Sequence, residues 1–264
     1  MPAASADEVP LAGGRTPVVR RGSVVHRKAG SWAPTVHLLL RHLETTGFAA
    51  APTVIGTGFD DNGWETLSFI EGDVIHPRPW NDDGVVAIGT LLRRLHQATA
   101  TFEAPSDAVW QPWFGRNLGT SERAYGHCDL GPWNTVARDG IPVAFIDWEV
   151  AGPVSPLVEL AQACWLNAQL HDDDIAERIG LPSAERRARQ VRLIADAYGL
   201  ARRDRLPLVE AMIALAIHDA ADQAVRAGVS PDTGDATSLW AITWRTRAAA
   251  WMLRNRSVLA RALA

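Results

Sequence analysis

His127-Cys128-Asp129-Leu130-Gly131-Pro132-Trp133-Asn134, followed by Phe145-Ile146-Asp147-Trp148-Glu149, is the stretch whose reading decides the fold. Between the two segments, residues 134–138 and 141–147 read as strands joined by Asp139-Gly140, the residue pair of a type I′ turn. Both flanks of this hairpin carry polar residues that a packed strand would not want. Gly131 and Pro132 keep the loop between Asp129 and Asn134 from becoming helix. Asp147 follows the apolar run Val143 to Ile146, and an ionised carboxylate at the end of a buried strand is costly unless it is paired or bound to a cation. The hairpin returns the chain, so Asp147 is expected near Asn134. An amide oxygen and a carboxylate suit Mg²⁺, which takes few protein ligands and keeps waters and phosphates.

Each of these residues has a plain structural explanation when taken alone. His127 can be a hydrogen-bonded core histidine, Asp129 a cap, Asn134 a turn residue, and Asp147 the N-cap of the next turn. Taken together, with this spacing around one hairpin, they favour a site.

Upstream, residues 11–30 read as short strands, with turns at Gly13-Gly14 and Arg21-Gly22 and β-branched centres at Val18-Val19 and Val24-Val25. A helix runs from about 34 to 46, opened by Pro34, with Val36, Leu39, Leu40 and Leu43 on one face. Strands at 53–58 and 64–70 flank the turn Asp60-Asp61-Asn62-Gly63. Downstream, helices are predicted at 83–101, 155–170, 183–199, 206–228 and 236–262. The expected fold is α+β with two lobes: a small β-rich lobe over 1–72 and a larger helical lobe over 73–264 that contains the hairpin.

Composition narrows the classes. The chain has 264 residues, 47% hydrophobic and 21% charged, which excludes a disordered or collagen-like protein. The net charge of −4 gives no overall field for nucleic acid. Of the 26 basic residues only Lys28 is a lysine. Codon bias explains such a count, so it does not by itself mark Lys28. Cys128 and Cys164 form neither a CxxC pattern nor a disulfide framework, and a reducing cytoplasm is the expected compartment. The N-terminus has no signal-peptide pattern, and no uncharged run is long enough for a bilayer.

The H-x-D-x-x-x-x-N loop at 127–134 and the I-D-W-E segment at 146–149 resemble the aminoglycoside phosphotransferase and choline kinase family, whose fold is protein-kinase-like. The similarity extends from about residue 11 to 170. Leu67-Ser68-Phe69-Ile70-Glu71-Gly72 looks like the family's hinge between lobes, and Leu91-Leu92-Arg93-Arg94-Leu95-His96 like its first large-lobe helix. The resemblance implies an ATP- and Mg²⁺-dependent transfer of a phosphoryl group to a hydroxyl of a small molecule, such as an aminoglycoside or other antibiotic, an amino alcohol or a sugar. It implies Asp129 as catalytic base, His127 as the brace of its loop, and Asn134 and Asp147 as metal ligands, with Glu149 near metal-bound water. On the nucleotide side it brings in Gly13 and Gly14 before the first strand and Phe69 and Glu71 at the hinge. No nucleic-acid or membrane partner is expected.

The family also carries a basic residue at the end of a β-lobe strand, paired with a glutamate on the following helix. Aligning Val24-Val25 places His26 at the basic position. Strand alternation puts His26 and Lys28 on one face and Arg27 on the other, so that Arg27 would need a bulge to turn inward. The helix at 34–46 has Glu44 as its only acid, far along it, and the usual Glu position falls at Val36 or His37. This departure motivates a second reading, a kinase-fold binding or toxin-immunity protein with little or no catalysis. For the acceptor side, Asp172-Asp173-Asp174 reads as a helix cap or as an attractor of cations. Trp133, Trp148, Trp165, Trp240 and Trp244 read as core or as pocket wall.

Overall fold

The structure, a computed structural model, describes residues 8–11, 17–120 and 122–264. Five antiparallel strands open the chain: β1 (Glu8–Pro10), β2 (Val18–Arg21), β3 (Val24–Lys28), β4 (Val54–Phe59) and β5 (Trp64–Ser68), in the order β1-β2-β3-β5-β4. Helix α1 (Ala33–Thr45) packs on this sheet through Val36, Leu39, Leu40 and Leu43, the apolar set expected from their spacing. The register of β3 on β5 runs without interruption from Val24↔Ser68 to Lys28↔Trp64.

The rest is mainly helical. Helix α2 (Asp82–Thr99) is capped by Asn81, whose side chain accepts from the Gly84 N–H at 2.7 Å. It buries Val85, Ile88, Leu92 and Leu95 completely. A Cβ at Gly89 would strike the Ile194 carbonyl, so glycine permits the close approach of α2 to α5 (Ala184–Tyr198). Two small antiparallel pairs lie between α2 and α3 (Pro156–Asn167): β6 (Ala124–Gly126) with β9 (Gly152–Val154), and the hairpin β7 (Thr135–Arg138) with β8 (Ile141–Phe145). Asp139 and Gly140 both have positive φ, as the type I′ turn requires.

Helix α3 is buried almost all round and forms the centre of this part. Around it lie α4 (Asp173–Arg178), α5, α6 (Arg205–Arg226), α7 (Ala236–Arg254) and α8 (Arg256–Leu263). The single helix expected over 236–262 is two helices that break at Asn255, whose side-chain amide donates to the Trp251 carbonyl at 3.1 Å. One contiguous core joins α1 to α2, α3, α5 and α6. None of the described helices is long and apolar enough to cross a membrane.

The sheet and the helical part are tied along the predicted hinge. Asp73 and Ala137 exchange backbone hydrogen bonds of 2.9 and 2.8 Å, and the Phe145 N–H donates to the Ala50 carbonyl at 2.9 Å. Arg20 stacks on the Phe69 ring at 3.7 Å and pairs with the exposed Glu71 carboxylate at 2.6 Å.

Candidate active site

The loop 127–134 is held by its own histidine and by the side chains of α3. His127 is fully buried. Its Nε2–H donates to the Ile146 carbonyl at 2.8 Å, and its Nδ1 accepts the Asp129 N–H at 3.2 Å. This pair of bonds fixes the neutral tautomer, and burial pushes the imidazole pKa down, in agreement with it. Gln162 accepts from the Leu130 N–H at 2.9 Å and donates to the Cys128 carbonyl at 3.0 Å. Asn167 donates to the Leu130 carbonyl at 2.8 Å, and Glu159 accepts the Cys128 N–H at 2.7 Å. These bonds hold Cys128 in the left-handed region, at φ 64°. A Cβ at Gly126 would collide with the Glu159 carboxylate, so the glycine ending β6 makes room for this clamp.

Glu159 is itself buried, with His96 Nε2 at 2.6 Å, while His96 Nδ1 lies 2.7 Å from the Tyr198 hydroxyl. Burial raises the Glu159 pKa, but the His96 hydrogen bond and charge and the Cys128 N–H outweigh it and hold the group below the usual carboxylate range.

Asn134 spends its amide nitrogen on Asp129, with bonds of 2.8 Å to the Asp129 Oδ2 and 3.0 Å to its carbonyl. That leaves the amide oxygen of Asn134 as the atom suited to a cation. Burial pushes the Asp129 carboxyl up to about 7, helped by the negative charge of Asp147 and opposed by the Asn134 hydrogen bond. Asp147 sits in the left-handed region, at φ 64° and ψ 64°, and its side chain does not cap the turn that follows. A non-glycine residue there is strained, which fits a side chain held for a purpose rather than a cap. The Ile146 N–H donates to the Asn134 carbonyl at 2.9 Å and the Trp148 indole to the Phe145 carbonyl at 2.8 Å. The hairpin therefore brings Asn134 and Asp147 to one place. Arg116 steadies the chain beyond them by donating to the Val150 carbonyl at 2.8 Å and the Ala151 carbonyl at 3.2 Å.

The sheet side corrects the expected facing of the three basic residues. Arg27, not His26 or Lys28, points at the cleft, and it forms ion pairs with both Glu65 and Asp147. No bulge is involved. The alternation is as expected, but the face covered by α1 is the one carrying Leu67, Glu65 and Arg27. His26 lies on the opposite face, its Nδ1 3.2 Å from Asp60, and Lys28 is exposed at the strand end.

The acid that the helix lacks comes from the sheet. Glu65, directly across from Arg27 in the β3–β5 register, is 2% exposed and lies 2.8 Å from His37 Nε2 of α1. Burial raises the Glu65 pKa, yet the His37 hydrogen bond and the Arg27 charge hold it below the usual range. Arg27 is partly buried, and Glu65 and Asp147 together keep it firmly protonated. The half-buried Glu149 acts electrostatically on both Arg27 and Asp129. Gly13 and Gly14 lie outside the described residues.

The donor set fits a hard cation that arrives with phosphate. Asp147, Glu149 and the Asn134 amide all offer oxygen. Among the described residues no cluster of three His, Cys, Asp or Glu side chains could cage a metal without further ligands.

Sequence reasoning missed Glu65, Glu159, Gln162 and Asn167. Their signal was present as single polar residues inside apolar elements: the glutamate of Trp64-Glu65-Thr66-Leu67, and three polar side chains in a helix otherwise fit to be buried. On the acceptor side, Asp172 caps α4 and pairs with Arg247 and Arg254, so the cap reading of 172–174 holds. Trp148 is core, 4.8 Å from the His127 ring, whereas Trp133, Trp165, Trp240 and Trp244 line a cavity beside the loop.

The sequence profile of the phosphotransferase enzyme family matches residues 106–208. A trifolitoxin immunity protein of Rhizobium leguminosarum bv. trifolii is 60% identical over 259 residues, covering 98% of this chain and 99% of that protein. Among solved structures, a choline/ethanolamine kinase family protein from Mesorhizobium loti superposes with a TM-score of 0.64 at 15% identity, over 97% of this chain and 90% of that one. An amicoumacin kinase solved with AMP-PNP and Ca²⁺ gives 0.67 at 14% identity, over 92% and 88%. At those identities the likeness to the solved structures speaks for the fold, which is that of the protein-kinase-like small-molecule kinases. The profile, the loop geometry and the 60% identical relative together make this chain a member of the phosphotransferase enzyme family.

Proposed function

We propose that the protein transfers the γ-phosphoryl group of ATP to a hydroxyl of a small molecule. The observation that carries this reading is the convergence of Asp129, Asn134, Asp147 and Arg27 on one cleft. Asp129 takes the acceptor's hydroxyl proton as the hydroxyl oxygen bonds to the γ-phosphorus, the bond to the bridging oxygen breaks, and ADP leaves. A carboxylate oriented by the Asn134 amide suits that task. Arg27 supplies the cation for the α- and β-phosphates, carried there by Glu65 and His37. Asn134 and Asp147 would hold Mg²⁺, with Glu149 beside them. When bound, the ion neutralises charge on the β- and γ-phosphates. Phe69 and Glu71, on the segment joining the sheet to the helical part, would border the nucleotide, and the use of ATP fits a cytoplasmic protein.

The 60% identical relative is named a toxin-immunity protein, which is compatible with a second reading, in which a toxin is bound with little or no turnover. A thermal melt with ATP and Mg²⁺ separates the two. Nucleotide at about 100 times its Kd stabilises a binding protein by about 2.7 kcal/mol. Absence of any shift at millimolar ATP would overturn the phosphotransferase reading and leave sequestration.

A further inference from the structure

The cavity beside the catalytic loop has a volume of about 450 Å³, and four tryptophans, Trp133, Trp165, Trp240 and Trp244, form much of its wall. Trp133 belongs to the loop itself, between Asp129 and Asn134, so a ring seated on it lies against the catalytic segment.

The charges around the cavity do not suit a polycation. Two guanidiniums, Arg178 and Arg247, line it against one carboxylate, Asp174, and Asp174 is already paired with Arg247. The neighbouring Asp172 is spent on Arg247 and Arg254. Burial pushes the pKa of His171, also on the wall, down to about 4, so it adds no charge near neutrality. Nor is Trp244 left open to a ligand cation, because the Arg245 guanidinium lies over its ring at 4.3 Å.

Two polar atoms on this wall lack partners among the described residues. Gln169 is 2% exposed and held at φ 47°, and its amide nitrogen donates to the Pro77 and Arg78 carbonyls at 3.3 Å, while its Oε1 accepts nothing. The Nδ1 of His171 is likewise unpaired. Buried polar atoms are rarely left so, and a ligand donor would satisfy the Gln169 Oε1.

We propose that the acceptor is a neutral or anionic molecule built on a flat aromatic or heteroaromatic ring that carries an N–H or O–H donor. The ring sits against Trp133 and the exposed Trp240, with Trp165 and Trp244 behind them, its donor bonds to Gln169 Oε1, and any acidic group faces Arg178. That it is an acceptor rests on the phosphotransferase reading; that it binds does not.

Isothermal titration of the full chain tests this with indole-3-lactate, its N-methylindole analogue, kanamycin and choline as probes. Indole-3-lactate should bind. Its affinity should fall at least tenfold when the ring N–H is methylated, and again in Trp240→Ala and in Arg178→Glu. Both of those side chains are exposed, so folding should survive, and the methylated probe needs no variant at all. Failure of indole-3-lactate to bind, equal affinity for both indoles, unchanged affinity in the two variants, or tighter binding of kanamycin or choline would each overturn the proposal. ATP titrated with Mg²⁺ into the same protein is scored separately. Loss of that signal alone counts against phosphoryl transfer, not against the aromatic pocket.

Discussion

On the helical side of the cleft, Asp129 is positioned by hydrogen bonds from one buried helix and one histidine to the backbone of its own loop. On the sheet side, Arg27 is positioned by ion pairs with groups from two other segments, Glu65 of β5 and Asp147 beyond β8, with His37 of α1 behind Glu65. The first arrangement is local, mostly neutral and repeated over several bonds, so losing one bond leaves others in place. The second concentrates charge in a poorly solvated site, where removing one partner strands the rest. The two halves of one site should therefore fail in different ways. The helical half should lose chemistry before stability, and the sheet half should lose both at once.

The largest expected effect tests the chemical half. Asp129→Ala should lower ADP release by about 10²- to 10⁴-fold, the usual share of a general base, while the melting transition stays cooperative. Full turnover in that variant would remove the catalytic role of the loop.

Glu65→Ala should be the most destructive change to the fold among those compared. It leaves Arg27 and His37 facing a buried gap, and breaking such a pair costs about 3–5 kcal/mol in urea melts. Gln162→Leu on the helical side should cost less, about 1–3 kcal/mol, because the Leu130 N–H and Cys128 carbonyl lose partners but no charge is left unpaired. A larger loss in Gln162→Leu than in Glu65→Ala would reverse the contrast between the two halves.

The same contrast governs what could be read before the structure. The helical half lies in two short segments whose spacing carries its meaning, so Asp129, Asn134 and Asp147 came together as their order in the chain suggested. The sheet half is assembled from positions far apart in sequence, Arg27, His37 and Glu65. Alternation correctly separated Arg27 from His26 and Lys28, but alternation alone does not say which face a helix will cover. Glu65 stayed hidden for a related reason. A search confined to the helix finds only Glu44, whereas a cross-strand neighbour becomes visible only when the register of β3 on β5 is known. The break at Asn255 was also out of reach, since the helical pattern runs on through it.

Acid should expose the Glu159–His96 pair behind the catalytic loop. The folded pKa of Glu159 lies below its unfolded value, so its contribution is complete above about pH 4.3 and is lost as pH falls through the folded value. Glu159→Gln keeps an acceptor for the Cys128 N–H and removes the charge. Its stability should therefore fall less steeply than the wild type's as the pH drops below about 4.3. Parallel curves would mean that the Glu159–His96 pair adds nothing through its charge.

The smallest effect is the most discriminating for the sheet half, because it concerns the only lysine in the chain. Lys28 is exposed and one residue from Arg27, so strand geometry turns it away from the cleft that Arg27 faces. Lys28→Ala should change stability by no more than about 0.5 kcal/mol and leave ATP affinity as it was. Arg27→Ala should weaken ATP binding and, by stranding Glu65, stability as well. His26→Ala should disturb only the pairing with Asp60 across the other face. If Lys28→Ala weakened ATP binding and Arg27→Ala did not, the phosphate cation would have to reach the cleft from the far face of β3. The uninterrupted register of β3 on β5 gives it no path to do so.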